Sequence, residues 1–143
     1  MIKTEAFKPE HLVNIKREDI DSQMLDIMGD LDGRAFWYAK SGPAVTMLED
    51  EVILGVGGIV WFWSGVGEAW LLVSPEGRKR KVALLKVVRA FLDNRTEFHR
   101  IQASIMYGNA RAHKTAMLLG FIPEGMMVRY GPNKENYVRY VRV

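Results

Sequence analysis

The sequence predicts a single α/β domain over residues 1–143, with helices on the faces of a central mixed sheet. Three observations lead there. The segments follow one another as strands, helix, strand, helix, strands, an order that folds as a sheet covered by helices. Leu84, Leu85, Val88, Phe91 and Leu92 recur at helical spacing and give Arg78–Leu92 one apolar face. A chain of 143 residues is long enough for one core.

Taken in order, Ile2–Phe7 reads as a first strand. Pro9 opens a short amphipathic helix carrying Leu12, Val13 and Ile15. Asp19–Met28 reads as a second short helix, Gly29–Gly33 as turn, and Arg34–Lys40 as helix up to the break at Gly42-Pro43. Ala44–Leu48 and Glu51–Trp63 are strands joined at a polar Glu49-Asp50 turn. The second is apolar on both faces, as in the middle of a covered sheet. Ser64–Gly67 is a tight connection to a strand over Glu68–Ser74, so these neighbours run antiparallel. Arg100–Tyr107 is a strand, parallel to Glu68–Ser74 because a helix crosses between them. Asn109 caps a helix that runs to Leu119 and stops at Gly120. Phe121–Tyr130 and Tyr137–Val143 close the sheet around Gly131-Pro132-Asn133. Trp61 and Trp63 share one strand face and Phe62 takes the other. Core packing is their default role, and an exposed face there would indicate a protein interface.

Composition narrows the function classes. Hydrophobic residues make up 48% and charged residues 26%, an ordinary globular balance. Cysteine is absent, which excludes disulfides, thiolate metal sites and a cysteine nucleophile and fits a reducing compartment. His11 and His99 lack metal-ligand spacing. The longest apolar stretch, Val52–Trp63, is broken by glycines and is shorter than the roughly 20 residues of a membrane span. The start of the chain shows no apolar run before a cleavage site, so the expectation is a cytoplasmic protein without membrane contact. A net charge of +3 is too mild to imply nucleic acid. Trp61, Trp63 and Trp70 lie in apolar strands, not in a polar groove for bases.

The placement of charge says more than its sum. Arg78, Lys79, Arg80 and Lys81 stand together where the best helix begins. Peptide dipoles already make that end positive, and each misplaced cation there costs about 0.3–1 kcal/mol. A bound phosphate or pyrophosphate would reconcile the cations with the exposed N–H groups. Two plainer readings stand beside it: a solvated basic run, or a helix capped by Ser74 with Pro75 first and the cations a turn inside.

The stretch Val73-Ser-Pro-Glu-Gly-Arg-Lys-Arg-Lys-Val-Ala83 resembles the coenzyme A signature of the GNAT family of N-acetyltransferases, in which a strand ending V-x-P leads into an R/Q-x-x-G-x-G/A turn and a helix. Tyr107-Gly-Asn-Ala-Arg-Ala-His-Lys-Thr-Ala-Met-Leu-Leu-Gly-Phe121 is similar to the family's second signature, an Asn-initiated helix ending in L-G-F before a hairpin. Together they cover Val52–Val143. The resemblance implies a mainly antiparallel sheet with a V-shaped opening for acetyl-coenzyme A and transfer of an acyl group to a primary amine. It implies cofactor contacts at Arg78, Lys79, Arg80, Lys81, Val82 and Ala83, at the main chain of Leu71 and Val73, and at Asn109.

Two positions depart from the family pattern. Lys81 replaces the turn's first glycine, and Ala116 replaces a tyrosine that protonates the leaving thiolate. Tyr107 and His113 are the substitute acids, with a surface histidine as the alternative for His113. Glu68 is the base, with a solvated strand-end carboxylate as its alternative. Ser104 stands where some relatives carry a carboxylate and would need a water relay. The departures look like divergent bacteriophage members of the family. They keep a second function open: a catalytically degenerate phage or prophage module, virion-associated or homodimeric, that binds rather than catalyses. The acceptor amine, on a small molecule or a protein, is not specified by these residues.

Overall fold

The structure is a computed structural model that describes residues 1–15 and 31–143. The expected Asp19–Met28 helix lies outside the described residues. Strand β1 (Lys3–Ala6) leads to helix α1 (Pro9–Asn14); helix α2 (Leu31–Lys40) precedes strands β2 (Ala44–Glu49), β3 (Val52–Trp63) and β4 (Val66–Val73). Helices α3 (Pro75–Lys79) and α4 (Lys81–Asp93) follow, then strand β5 (Arg100–Met106), helix α5 (Ala110–Leu118), and strands β6 (Ile122–Met127) and β7 (Tyr137–Arg142). The strands form one seven-stranded sheet in the order β1-β2-β3-β4-β5-β7-β6. The pairs β1–β2, β2–β3, β5–β7 and β6–β7 are antiparallel, and β4–β5 is parallel. The two-residue turn Ser64-Gly65 joins β3 to β4, which requires those neighbours to be antiparallel. The mixed, mainly antiparallel sheet expected from the sequence is present.

By internal contacts the chain forms two compact units, Met1–Val60 with Trp70–Val87, and Trp61–Ala69 with Val88–Val143. In the first, Phe7, Leu12, Ile15, Ala35 and Val56 make a buried cluster. Tyr38 stacks on Trp70 at 4.1 Å between ring centroids, and Phe7 meets Trp70 edge-on at 5.2 Å, the geometries that aromatic quadrupoles favour. Asp50 and Glu51 both have positive φ, 51° and 66°, which suits the two-residue turn of the β2–β3 hairpin. In the second unit, Leu92, Ile101, Leu119, Phe121 and Val141 are buried. Asn109 caps α5 by accepting the Ala112 N–H at 3.2 Å, and Gly120, with φ 92°, ends it.

Three expectations need correction. The helix expected over Arg78–Leu92 is two helices, α3 and α4, separated at Arg80 (φ −111°, ψ 30°). The cause is tertiary. Ser74 Oγ accepts the Gly77 N–H at 3.1 Å, and its hydroxyl proton is shared between the Ile53 and Leu54 carbonyls of β3, at 2.9 and 3.1 Å. Gly77 is buried so tightly that a Cβ would come within 2.1 Å of the Leu54 oxygen. The Arg80 N–H then closes on the Gly77 carbonyl at 3.0 Å and ends α3.

Trp61, Phe62 and Trp63 do not form core. They are 40%, 44% and 67% exposed at the end of β3, although Trp61 stacks on Phe98 at 4.0 Å. The strand expected over Phe121–Tyr130 stops at Met127, because Arg129 has φ 57° and donates its N–H to Asn136 Oδ1 at 3.0 Å.

Gly77→Ala should therefore destabilise the protein by about 1–3 kcal/mol, since the clash is with backbone that cannot rotate away. Gly108→Ala, where a Cβ meets nothing within 4 Å, is the control and should leave the thermal midpoint nearly unchanged. Thermal or urea unfolding of the two variants checks this.

Candidate functional site

The first candidate site lies in the Met1–Val60/Trp70–Val87 unit and is made by the break between α3 and α4. The first turn of an α-helix has N–H groups without intrahelical acceptors. In α4 the Leu84 N–H reaches the Arg80 carbonyl at 2.9 Å, which places the N–H groups of Lys81, Val82 and Ala83 ahead of that bond. Lys81 has no positive φ, so the backbone here does not require the glycine of the family pattern. Leu71 and Val73 are half-buried on β4 in the same unit.

The four cations do not share one helix end. Arg78 and Lys79 occupy the last turn of α3, where a helix dipole favours positive charge. Arg80 sits at the break and pairs with Glu49. Only Lys81 opens α4. The expectation of four unsatisfied cations at one N-terminus is thus corrected: the repulsion is relieved in part by α3 and by Glu49.

The second candidate site lies in the other unit. On β5, Arg100, Gln102 and Ser104 fall on one face by strand alternation, while Ile101 is buried on the other. Glu68 pairs with Gln102 on the last rung of the β4–β5 ladder. Glu68 Oε1 accepts from Gln102 Nε2 and from Ser104 Oγ, both at 3.2 Å. Arg139, the β7 partner of Ser104, brings Nη1 to 3.8 Å from the same oxygen. Arg100 donates to Gln102 Oε1 at 3.0 Å and grips Glu124 of β6 with two bonds of 2.9 and 2.6 Å. Glu68 is therefore a wired carboxylate, 24% exposed, on a polar sheet face.

His113 is held elsewhere. Its Nε2 faces the carbonyls of Met106 and Tyr107, at 3.1 and 2.9 Å, and its Nδ1 faces Tyr140 Oη at 2.8 Å. Carbonyls only accept, so Nε2 carries the hydrogen and Nδ1 accepts from the tyrosine. The ring is half-buried and fixed, not a free surface histidine. Tyr107 is 63% exposed, and Ala116 is buried. Sequence reasoning singled out Glu68 and Ser104 separately, and the structure joins them by a hydrogen bond. That reasoning missed Arg100 and Gln102, whose signal was the polar alternation along β5, and Arg139 and Glu124, whose places depend on the registers of β7 and β6.

No protein-family profile matches the sequence, and no curated protein does. Solved structures do match its fold. A chimera of the spermidine N-acetyltransferase SpeG from Vibrio cholerae and hSSAT superposes with a TM-score of 0.77 at 14% identity, over 99% of this chain and 95% of that one. A structure assigned as a phosphinothricin N-acetyltransferase gives 0.77 at 12% identity, over 99% and 98%. A GNAT-family acetyltransferase from Bacillus anthracis gives 0.75 at 13%, over 99% and 94%. At such identities the likeness establishes the fold, and the fold is that of the GNAT acetyltransferases. Among the described residues, no helix is long and apolar enough to cross a membrane.

The Arg100–Glu124 pair gives a pH prediction. Hydrogen bonds from Arg100, opposed by partial desolvation and aided by the charges of Arg100 and Arg139, hold the Glu124 carboxyl below its usual range. A carboxyl depressed in the folded state adds stability above its unfolded pKa and loses it as pH falls through the folded value. Glu124→Gln should lower the melting temperature at neutral pH and flatten its fall towards acid. Melting curves across that pH range test it.

Proposed function

We propose that the chain is an acyl-coenzyme A-dependent N-acyltransferase, with acetyl-coenzyme A as donor and a primary amine as acceptor. The observation that carries this reading is the seat of the α3–α4 break on β3. It presents the N–H groups of Lys81, Val82 and Ala83 beside Arg78, Lys79 and Arg80, in a chain whose whole length takes an acetyltransferase fold. Free helix N–H groups with nearby cations suit a pyrophosphate. The main chain of Leu71 and Val73 would hold the pantetheine arm and polarise the acyl oxygen. Asn109, which caps α5, would border the cofactor.

The reaction asks little of the protein beyond placement and two proton movements. The amine nitrogen attacks the thioester carbon, the C–N bond forms and the C–S bond breaks. Glu68, held by Gln102 and Ser104, would take the amine's proton. The departing thiolate needs a proton in return. Tyr107, whose ring is exposed, would supply it rather than His113, whose N–H is committed to two carbonyls.

Coenzyme A should raise the melting temperature with the logarithm of its concentration above Kd, by a stabilisation of about 2.7 kcal/mol at a hundredfold excess over Kd. ATP should do so less. Replacing Arg78 and Arg80 together with Ala should weaken coenzyme A binding, with only a small change in the unliganded melting temperature from the lost Arg80–Glu49 pair. Calorimetry of parent and double variant, at low and high salt, decides. Equal affinity in both proteins, or no response of the parent to millimolar coenzyme A, would remove this reading.

A further inference from the structure

Arg139 differs from Arg100 on its own sheet face and from Arg142 on the opposite one. Arg100 fills its guanidinium with Gln102 and both oxygens of Glu124. Arg142 takes the Leu119 carbonyl and Asp93. Arg139 has a single contact within hydrogen-bond reach among the described residues, from Nη2 to the Met127 sulfur at 3.1 Å. A thioether is a weak acceptor. Its Nε is buried with no partner. The carboxylate nearest to it among the described residues, Glu68, stands at 3.8 Å, too long for a hydrogen bond, and Glu124 acts on it only through charge at longer range. A partly buried guanidinium left this poorly matched is costly unless something else completes it.

The surroundings leave room for that completion. Arg139 lies opposite Gly125 in the β6–β7 ladder, and a Cβ on Gly125 would meet nothing within 4 Å. Glu68 Oε1 is taken by Gln102 and Ser104, which leaves Oε2 as the oxygen without a described hydrogen bond. One polar sheet face, open at Gly125, thus offers a carboxylate oxygen and an under-bonded guanidinium side by side.

We infer that the acceptor is an amine carrying an anionic group beside it, an α-amino acid, with its amine at Glu68 and its carboxylate on Arg139. The inference rests on the acyltransferase reading and names the substrate class for the same site. A planar carboxylate matches the guanidinium fork. The amine gives its proton to Glu68 as nitrogen attacks the acyl carbon; the C–N bond forms, the C–S bond breaks, and the sulfur leaves to be protonated as the thiol. A polyamine fits the face less well. Both carboxylates there, Glu68 and Glu124, already stand beside a cation, Arg139 and Arg100.

The test compares acetyl transfer from acetyl-coenzyme A to each standard L-amino acid, to its methyl ester and to spermidine. An ester keeps the α-amine and removes the carboxylate charge. The parent should prefer at least one free amino acid over its ester by roughly 10–100-fold in kcat/KM, the worth of a charged hydrogen bond. In Arg139→Gln that preference should fall to about one, chiefly through KM, and Arg139→Lys should restore part of it. A circular dichroism melt of each variant separates lost recognition from lost fold. Spermidine or the esters exceeding every free amino acid overturns the inference. So does a preference that survives Arg139→Gln, or a parent that neither acetylates nor binds any amino acid in calorimetry with coenzyme A present. Coenzyme A affinity is measured separately, so failure of the cofactor reading shows as lost coenzyme A binding and failure of this inference does not.

Discussion

The contact between Gly77 and the Leu54 carbonyl of β3 determines where α4 begins, and with it where its free N–H groups stand. Ser74 holds the approach from the other side, with its hydroxyl on the Ile53 and Leu54 carbonyls and its oxygen on the Gly77 N–H. Without this seat the run from Pro75 to Asp93 has every local reason to form one continuous helix, since Arg, Lys, Leu and Ala are all good helix formers. A continuous helix would satisfy the N–H groups of Lys81, Val82 and Ala83 with upstream carbonyls and leave nothing for a ligand. The break at Arg80 reverses that, and places two cations at a C-terminal end where the dipole welcomes them. Glu49 supplies a carboxylate to Arg80 there, the chemical class of partner that a phosphate would replace.

The polar face around Glu68 follows from a different constraint. A strand flanked by others must send alternate residues to opposite faces, so Arg100, Gln102 and Ser104 necessarily stand together. The β5–β7 register then sets Arg139 across from Ser104, and the shift in β6 between Pro123 and Gly125 brings Gly125 opposite Arg139. Buried polar groups are tolerated when each finds partners. Gln102, 6% exposed, meets that condition by donating to Glu68 and accepting from Arg100. Arg139 does not, since its Nε is buried with no partner among the described residues.

Much of the fold was legible because the elements announce themselves locally. The apolar face of Leu84, Val88 and Leu92, the cap at Asn109 and the stop at Gly120 each have a local cause, and each expectation matched the structure. The break at Arg80 was not legible, because its cause is a carbonyl more than twenty positions upstream. The exposure of Trp61, Phe62 and Trp63 was equally hidden: apolar identity favours burial, but these residues lie beyond the covered part of β3. The parallel pairing of β4 and β5 was legible in the strand order, and that pairing lets Glu68 and Ser104 meet. The places of Arg139 and Glu124 were not legible, because they depend on strand registers and an irregularity in β6 that no periodicity reveals.

The α3–α4 break is most directly tested by following backbone amides. In a nitrogen-15 labelled sample titrated with coenzyme A, the Lys81, Val82 and Ala83 amide resonances should shift early and saturate together, downfield as charge-assisted hydrogen bonds form. Resonances of Gly77 and Ser74 should hold their positions, since their bonds to β3 are already made. Shifts that leave the Lys81–Ala83 amides untouched while other basic residues respond would contradict the role given to this break.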